Sequence, residues 1–293
     1  MNIRDLKTVD MSRRDNLFIR FLYNTAPGRV ALRLVAARPV SKLVGVFMNS
    51  RTSRLLIRRF VRRNRINMDE YADKRYASFN DFFTRKVKEG RRVFSKVLSD
   101  LPAPCDGKLT AYNIAASSAF QIKGSIYTLN SLLQDKALAD EFAGGVCLIF
   151  RLTPDDYHRY AFVDDGEIVS RKRIKGVLHT VRPIALKRYN VYAKNTREYV
   201  VMNTKRFGKV VQMEVGALFV GCISNHPIKD TFKRGDEKGM FEFGGSTIVM
   251  LFQRDAVVID ETIYENTRRN RETVVRMGYK IGEKSLRAKR WFK

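Results

Sequence analysis

The sequence predicts an α+β fold, a mainly antiparallel β domain preceded by basic amphipathic helices. Two textures along the chain predict it. Up to about residue 66, apolar residues recur at helical spacing among arginines; from about residue 100, short alternating runs are separated by turn residues. Gly107, Gly166, Gly176, Gly208, Gly216, Gly221 and Gly239 punctuate the later runs. A chain of 293 residues has room for one large domain with a helical extension. The expected division is a basic helical region over 1–75, a β-rich domain over 76–265 and a basic, weakly patterned tail over 266–293.

Residues 15–66 read as two or three helices. Thr25 stands near a cap and Pro27 fits a first turn. Pro39 ends the apolar run that contains Val30, Leu32, Leu34 and Val35, and residues 42–48 begin another. Residues 51–65 hold seven arginines and no acid. On a helical wheel Leu56, Ile57, Phe60 and Val61 share one arc of about 140°. Arg58, Arg59, Arg62 and Arg63 take the opposite side, and only Leu55 is misplaced. Ser78 or Asn80 caps a short helix. Strands are expected over 108–114, 146–152, 167–174, 198–203, 209–215, 218–223, 246–252 and 256–259, with a helical segment around 129–133.

Charge narrows the partners. The net charge is +26, and the first hundred residues carry 24 Lys/Arg against 9 Asp/Glu. Such a chain meets a polyanion. A basic amphipathic helix suits an anionic membrane surface, with Leu56 and Phe60 turned to the lipid and Arg58, Arg59, Arg62 and Arg63 to the headgroups; the alternative is a core-packing helix with a solvated basic face. Nucleic acid is not expected, since no zinc finger, RNP-like aromatic run or KH-type loop is present. No apolar run is long enough to span a bilayer as a helix, and the N-terminal stretch lacks the apolar centre of a signal peptide. Cys105, Cys147 and Cys222 are widely spaced and form no metal or disulfide pattern. A peripheral location on the cytoplasmic side of the membrane fits, with no metal. The oligomeric state is open, a homo-oligomer included.

Phe243-Gly244-Gly245-Ser246-Thr247 precedes the apolar run Ile248-Val249-Met250-Leu251-Phe252. Two glycines bare the backbone directly before a serine, so a hydroxyl can approach a carbonyl closely. On those residues alone a turn opening a strand remains the simpler reading.

Five segments, in order, resemble the pyruvoyl-dependent phosphatidylserine decarboxylase family. They are Tyr76-Ala77-Ser78-Phe79-Asn80-Asp81-Phe82-Phe83-Thr84-Arg85; Pro104-Cys105-Asp106-Gly107-Lys108; Leu152-Thr153-Pro154-Asp155-Asp156-Tyr157-His158-Arg159-Tyr160; Phe207-Gly208-Lys209 through Gly216-Ala217; and Lys238-Gly239 through Thr247. The resemblance implies that Ser246 Oγ attacks the Gly245 carbonyl and that the chain parts between Gly245 and Ser246. The products are a β chain, 1–245, and an α chain whose first residue becomes a pyruvoyl group derived from Ser246. That carbonyl takes the place of pyridoxal phosphate in converting phosphatidylserine to phosphatidylethanolamine. Asp106 matches the carboxylate that orients the base of self-cleavage, and His158 matches an essential histidine. The family's DYHRxH pattern is broken here, because Ala161 occupies the second histidine position. The base is then expected to be His158, with His179 next and His226 third. Two alternatives stay open: a decarboxylase of another amine, a free amino acid or another lipid, and a relative defective in self-cleavage that only binds membranes.

Overall fold

The structure, a computed structural model, describes residues 7–10, 17–35, 38–122, 125–177, 179–181, 185, 190–217, 223–227, 230–243 and 246–287. An edge strand β1 (Thr8–Asp10) is followed by α1 (Leu17–Asn24), α2 (Ala26–Val35), α3 (Arg38–Asn49) and α4 (Leu55–Asn64), the last entered through a short 3-10 helix at Arg51–Arg54. Thr25 caps α2, its Oγ1 accepting the Gly28 N–H at 3.0 Å. Gly28 is fixed as glycine by close approach, because a Cβ there would lie 2.0 Å from the Phe21 carbonyl oxygen. Pro39 falls in the first turn of α3, where its missing N–H leaves no helical bond unmade. Ser78 caps α5 (Phe79–Phe83) by accepting the Asp81 N–H at 3.1 Å.

The β region then runs β2 (Asp100–Pro102), β3 (Gly107–Asn113), β4 (Ala119–Ile122), β5 (Ser125–Thr128), α6 (Leu129–Leu133), α7 (Lys136–Glu141), β6 (Val146–Leu152), β7 (Arg159–Ala161) and β8 (Gly166–Ile174). It continues through α8 (Val191–Lys194), β9 (Arg197–Thr204), β10 (Gly208–Val215), β11 (Ile223–Asn225), β12 (Thr231–Phe232), β13 (Glu237–Phe241) and β14 (Ser246–Phe252). It ends with β15 (Val257–Ile259), α9 (Glu261–Arg268), β16 (Arg271–Val275) and β17 (Lys280–Lys284). Among the described residues nine strands make one sheet in the order β1-β16-β3-β6-β14-β10-β9-β8-β12; β11-β13-β7 and β15-β17-β2 make two small sheets, and β4 pairs with β5. The named strands pair antiparallel, as in β14 with β6 and β10.

The expected strands appear within a residue or two, except that 218–222 lie outside the described residues and Ile223 opens β11. The expected weakly patterned tail is corrected: it contains β16, paired with β3 inside the large sheet, and β17, between β15 and β2. Charge hid β16 from its pattern. Glu272 is buried and takes Arg151 Nε at 2.8 Å, so a charged residue occupies an inward position as half of an ion pair. The first ten residues also contribute a strand, β1, to that sheet.

β14 is the central strand, and all seven of its residues are buried. Val249 and Leu251 face a core built with α6, α7 and α8 and with Leu22, Tyr23 and Leu32 of the N-terminal helices. Ile248, Met250 and Phe252 face a second core with Leu152, Tyr160, Phe241 and Ile281. A third core gathers Phe79, Phe82, Phe83, Tyr71 and Tyr157, and Ile57, Phe60 and Val61 of α4 pack against it. Phe60 meets the Phe79 ring edge to face at 5.0 Å. This corrects the expectation that Phe60 faces lipid: most of the α4 apolar arc is used inside the protein. Leu55 and Leu56 remain exposed, as do Arg58, Arg59, Arg62 and Arg63.

Replacing Ser78 by Ala removes the α5 cap, and urea unfolding is expected to show a loss of about 1 kcal/mol. An unchanged midpoint would show that the third core alone holds α5.

Candidate active site

Ser246 is the first residue of β14, opposite Leu152 of β6. Its hydroxyl is fully buried and has no hydrogen-bond partner among the described residues. An orphaned buried hydroxyl costs free energy and is the exception in folded proteins. Gly244 and Gly245 lie outside the described residues. The chain just before them is tightly placed: the Phe243 N–H donates to Asn80 Oδ1 at 2.9 Å, and the Phe243 ring packs on Phe79 at 5.0 Å and Phe83 at 5.4 Å. The Ser-Phe-Asn-Asp-Phe-Phe segment therefore grips the strand end that leads to Ser246.

His158 lies on the chain that leaves β6, the strand paired with the start of β14, and no hydrogen bond joins its ring to the Ser246 hydroxyl. β6 ends beside Ser246, and the chain turns back at once through residues 153–156. Asp156 closes the turn by accepting the Thr153 N–H at 2.6 Å and both contacts of Lys108 Nζ, at 2.8 and 2.7 Å. The Asp156 carbonyl then meets His158 Nδ1 at 2.9 Å. A carbonyl only accepts, so Nδ1 carries the proton and Nε2 presents a lone pair. Nε2 is buried and unpartnered. The ring lies 3.9 Å from that of Phe83, and the His158 carbonyl accepts the Phe241 N–H at 2.9 Å. Burial, followed by the nearby Arg85 charge, depresses the His158 pKa to about 3. At neutral pH the imidazole is an uncharged base.

Asp106 is not joined to a histidine. Arg92 grips it at two points, Nε to Oδ1 at 2.8 Å and Nη2 to Oδ2 at 2.6 Å, and the Met277 N–H donates to Oδ1 at 2.9 Å. Burial alone would lower the Arg92 pKa, but Asp106 and Glu70 raise it, so the guanidinium stays charged. Ala161 lies in β7, its N–H bonded to the Pro104 carbonyl at 2.9 Å. His179 is half-buried, its Nδ1 3.5 Å from Tyr23 OH, and burial followed by the Lys194 charge lowers its pKa. Asn195 links it toward the cleavage strand by donating to the His179 carbonyl at 2.8 Å and the Gly216 carbonyl at 2.7 Å. His226 sits apart, its Nε2 at 2.6 Å from Glu237, which also holds Arg159.

A profile of the phosphatidylserine decarboxylase family matches residues 79–283. The chain is 52% identical over 282 residues to phosphatidylserine decarboxylase proenzyme 2 of Clostridium acetobutylicum, covering 96% of this chain and 97% of that protein. It is 42% identical over 267 residues to the proenzyme of Ruminiclostridium cellulolyticum, covering 89% of each, and 38% identical over 273 residues to that of Clostridium novyi, covering 91% and 92%. The chain belongs to the phosphatidylserine decarboxylase family.

Phe83 and Lys108 lie inside the family-like segments, which marked them without saying what they touch; Asn80, expected only as a possible helix cap, instead holds Phe243 while Ser78 is the cap. Arg92 lies outside every such segment and had no signal; only the fold brings it to Asp106.

The His158 environment predicts an acid-sensitive fold. Its folded pKa of about 3 lies below the ordinary 6.5, so between those values the unfolded chain binds the extra proton. The stability this group contributes is full above pH 6.5 and falls as pH drops toward 3, at up to about 1.4 kcal/mol per pH unit. His158→Asn should flatten that limb in urea titrations relative to wild type; superimposable limbs would refute the assignment.

Proposed function

We propose that this chain is a precursor that cuts itself between Gly245 and Ser246 and then, as a two-chain enzyme, decarboxylates phosphatidylserine to phosphatidylethanolamine. The observation that carries this is the buried, unpartnered Ser246 hydroxyl at the head of the central strand, in a member of this family. The same observation makes the residue a fit source for a pyruvoyl group, since no described residue engages the oxygen that must react.

His158 Nε2 is the base that fits. It takes the Ser246 proton, and Oγ attacks the Gly245 carbonyl. The amide nitrogen gains a proton as the C–N bond breaks, leaving an ester between Gly245 and Ser246 Oγ. Loss of the Ser246 α-proton expels the Gly245 carboxylate and leaves a double bond at residue 246; water then replaces the nitrogen as ammonia. The resulting pyruvoyl group supplies an electron sink for loss of CO2 from the substrate amine. Asp106 is held by Arg92 and the Met277 N–H, which supports an anchoring role for it in this chain.

The helical region supports docking on an anionic membrane from the cytoplasmic side. Leu43, Val46 and Phe47 of α3 and Leu55 of α4 are exposed apolar side chains, and Arg58, Arg59, Arg62 and Arg63 of α4 are exposed cations. An open groove of about 660 Å³ along α4 is lined by Arg51, Arg54, Leu55, Arg58 and Arg62, with Met68 and Tyr76. Each cation near such a surface is worth about 1 kcal/mol. No helix among the described residues is long and apolar enough to cross a bilayer. Ala161 supports the rival reading of a cleavage-defective membrane-binding relative, and one measurement separates the two.

Intact mass spectrometry of the purified wild type is expected to show two chains, the smaller blocked at its N-terminus, and Ser246→Ala a single 33.9 kDa chain. An uncut wild type favours the binding module. In liposome flotation with anionic lipid, a variant with Glu at positions 58, 59, 62 and 63 should float at least about tenfold less than wild type; equal flotation would eliminate α4 as the docking element.

A further inference from the structure

Glu214 and Lys238 form an ion pair in which both side chains are completely buried, Nζ to Oε2 at 2.5 Å. Such a pair is weak evidence for stability, because apolar residues of the same size often do as well. Its position suggests another use. Glu214 stands directly opposite Ile248 in the pairing of β10 with β14. Ser246, two residues before Ile248, is on the same sheet face one diagonal step away, within the span of a long side chain. Glu214 Oε2 is engaged by Lys238 and Asn225, yet Oε1 is buried without a partner, as is Ser246 Oγ.

Lys238 comes from the opposite layer. The pairing of β13 with β7 skips a residue, Glu237 facing Ala161 and Gly239 facing Tyr160, and the extra residue is Lys238. A bulge of this kind re-aims a side chain. Here it carries the ammonium across to Glu214, with Asn225 Oδ1 at 3.2 Å and the Tyr160 ring at 5.5 Å around it. Asn225 is fixed in turn by Tyr160 OH at 3.0 Å and by donating to Glu198 at 3.0 Å. The strand on the amino side of the cleavage point is thereby clamped to the strand that pairs with the carboxyl side.

We propose that Glu214, oriented by Lys238, is a positioning residue for self-cleavage: a turn of its side chain brings Oε1, which bonds to nothing among the described residues, to accept the Ser246 hydroxyl and hold Oγ in place until that one proton swings to His158 Nε2. The proposal rests on cleavage at Ser246. Two neutral double variants of nearly equal shape test it, Lys238→Met with Glu214→Gln, which keeps an acceptor, and Lys238→Met with Glu214→Met, which has none. Glu214→Leu in the same Lys238→Met background is the substitute should the Met form fail to fold, as judged by its melting transition. Conversion of precursor to two chains is followed over time in the full-length proteins. The Gln form should cleave at least about tenfold faster than the apolar form, since small misplacement of a reacting group costs up to about a hundredfold. Equal rates in the two, fast or slow, overturn the role of Glu214 and leave the cleavage reading intact. An uncut wild type overturns both.

Discussion

The contact on which the site depends is the buried grip of Lys108 on Asp156. Lys108 is on β3 and Asp156 in the turn after β6, and the two strands are paired, Lys108 opposite Arg151. The ammonium meets both carboxylate oxygens, while the Thr153 N–H and hydroxyl take Oδ2 at 2.6 and 2.9 Å. With every oxygen satisfied, the turn has one shape. That shape presents the 156 carbonyl to His158 Nδ1 and so decides which imidazole nitrogen is a base. Arg85 adds a second hold, donating to the Asp155 and Asp156 carbonyls at 3.4 and 3.3 Å. Removing either Lys108 or Asp156 would strand a buried charge, a loss of about 3–5 kcal/mol, and would free the tautomer at the same time.

The third core performs two tasks with one set of aromatic rings. Phe83 touches His158 on one side and Phe243 on the other, so the base and the strand end before the cleavage point are packed against a common side chain. The same core receives Ile57, Phe60 and Val61. The helical region is therefore joined to the chemistry by packing. A second joint lies at α1, where Tyr23 OH accepts the Thr180 N–H at 3.1 Å beside His179. A helix that docks on lipid through exposed leucines and arginines would hold the site at a set distance from the surface.

Much of this was legible in the residues. Alternation and glycine spacing located β3, β6, β8, β9, β10 and β14 of the large sheet, because most of their inward positions are apolar. The ordered segments pointed to Ser246, Asp106 and His158. What could not be read was what each group touches. Periodicity says that one side of α4 is covered, and it does not distinguish lipid from Phe79 and Phe82. Asp106 reads as a turn residue or as a catalytic carboxylate, and its real partner, Arg92, is one of 56 basic residues with nothing to single it out. β16 escaped notice because Glu272 carries a charge at a buried position, and the compensating Arg151 is far away in sequence. In the last two cases a long-range ion pair overrode the local pattern, and in the first it was long-range aromatic packing.

The central position of β14 explains how a chain could be cut there and stay whole. The strand is bonded along its length to β6 on one side and β10 on the other. Downstream, β16 lies within the same sheet and β17 between β15 and β2, so the part after Ser246 is woven into structure formed by the part before it. The backbone pairing, not the peptide bond at 245, holds the two pieces. Burial also constrains what the new end can be. Ser246 is wholly inaccessible, and an ammonium left there by simple hydrolysis would be a buried charge, with the Glu214 carboxylate on the same sheet face already paired with Lys238. An uncharged carbonyl carries no such penalty. The environment that leaves the serine hydroxyl without a partner thus also favours the chemistry that removes the nitrogen over the chemistry that would merely expose it.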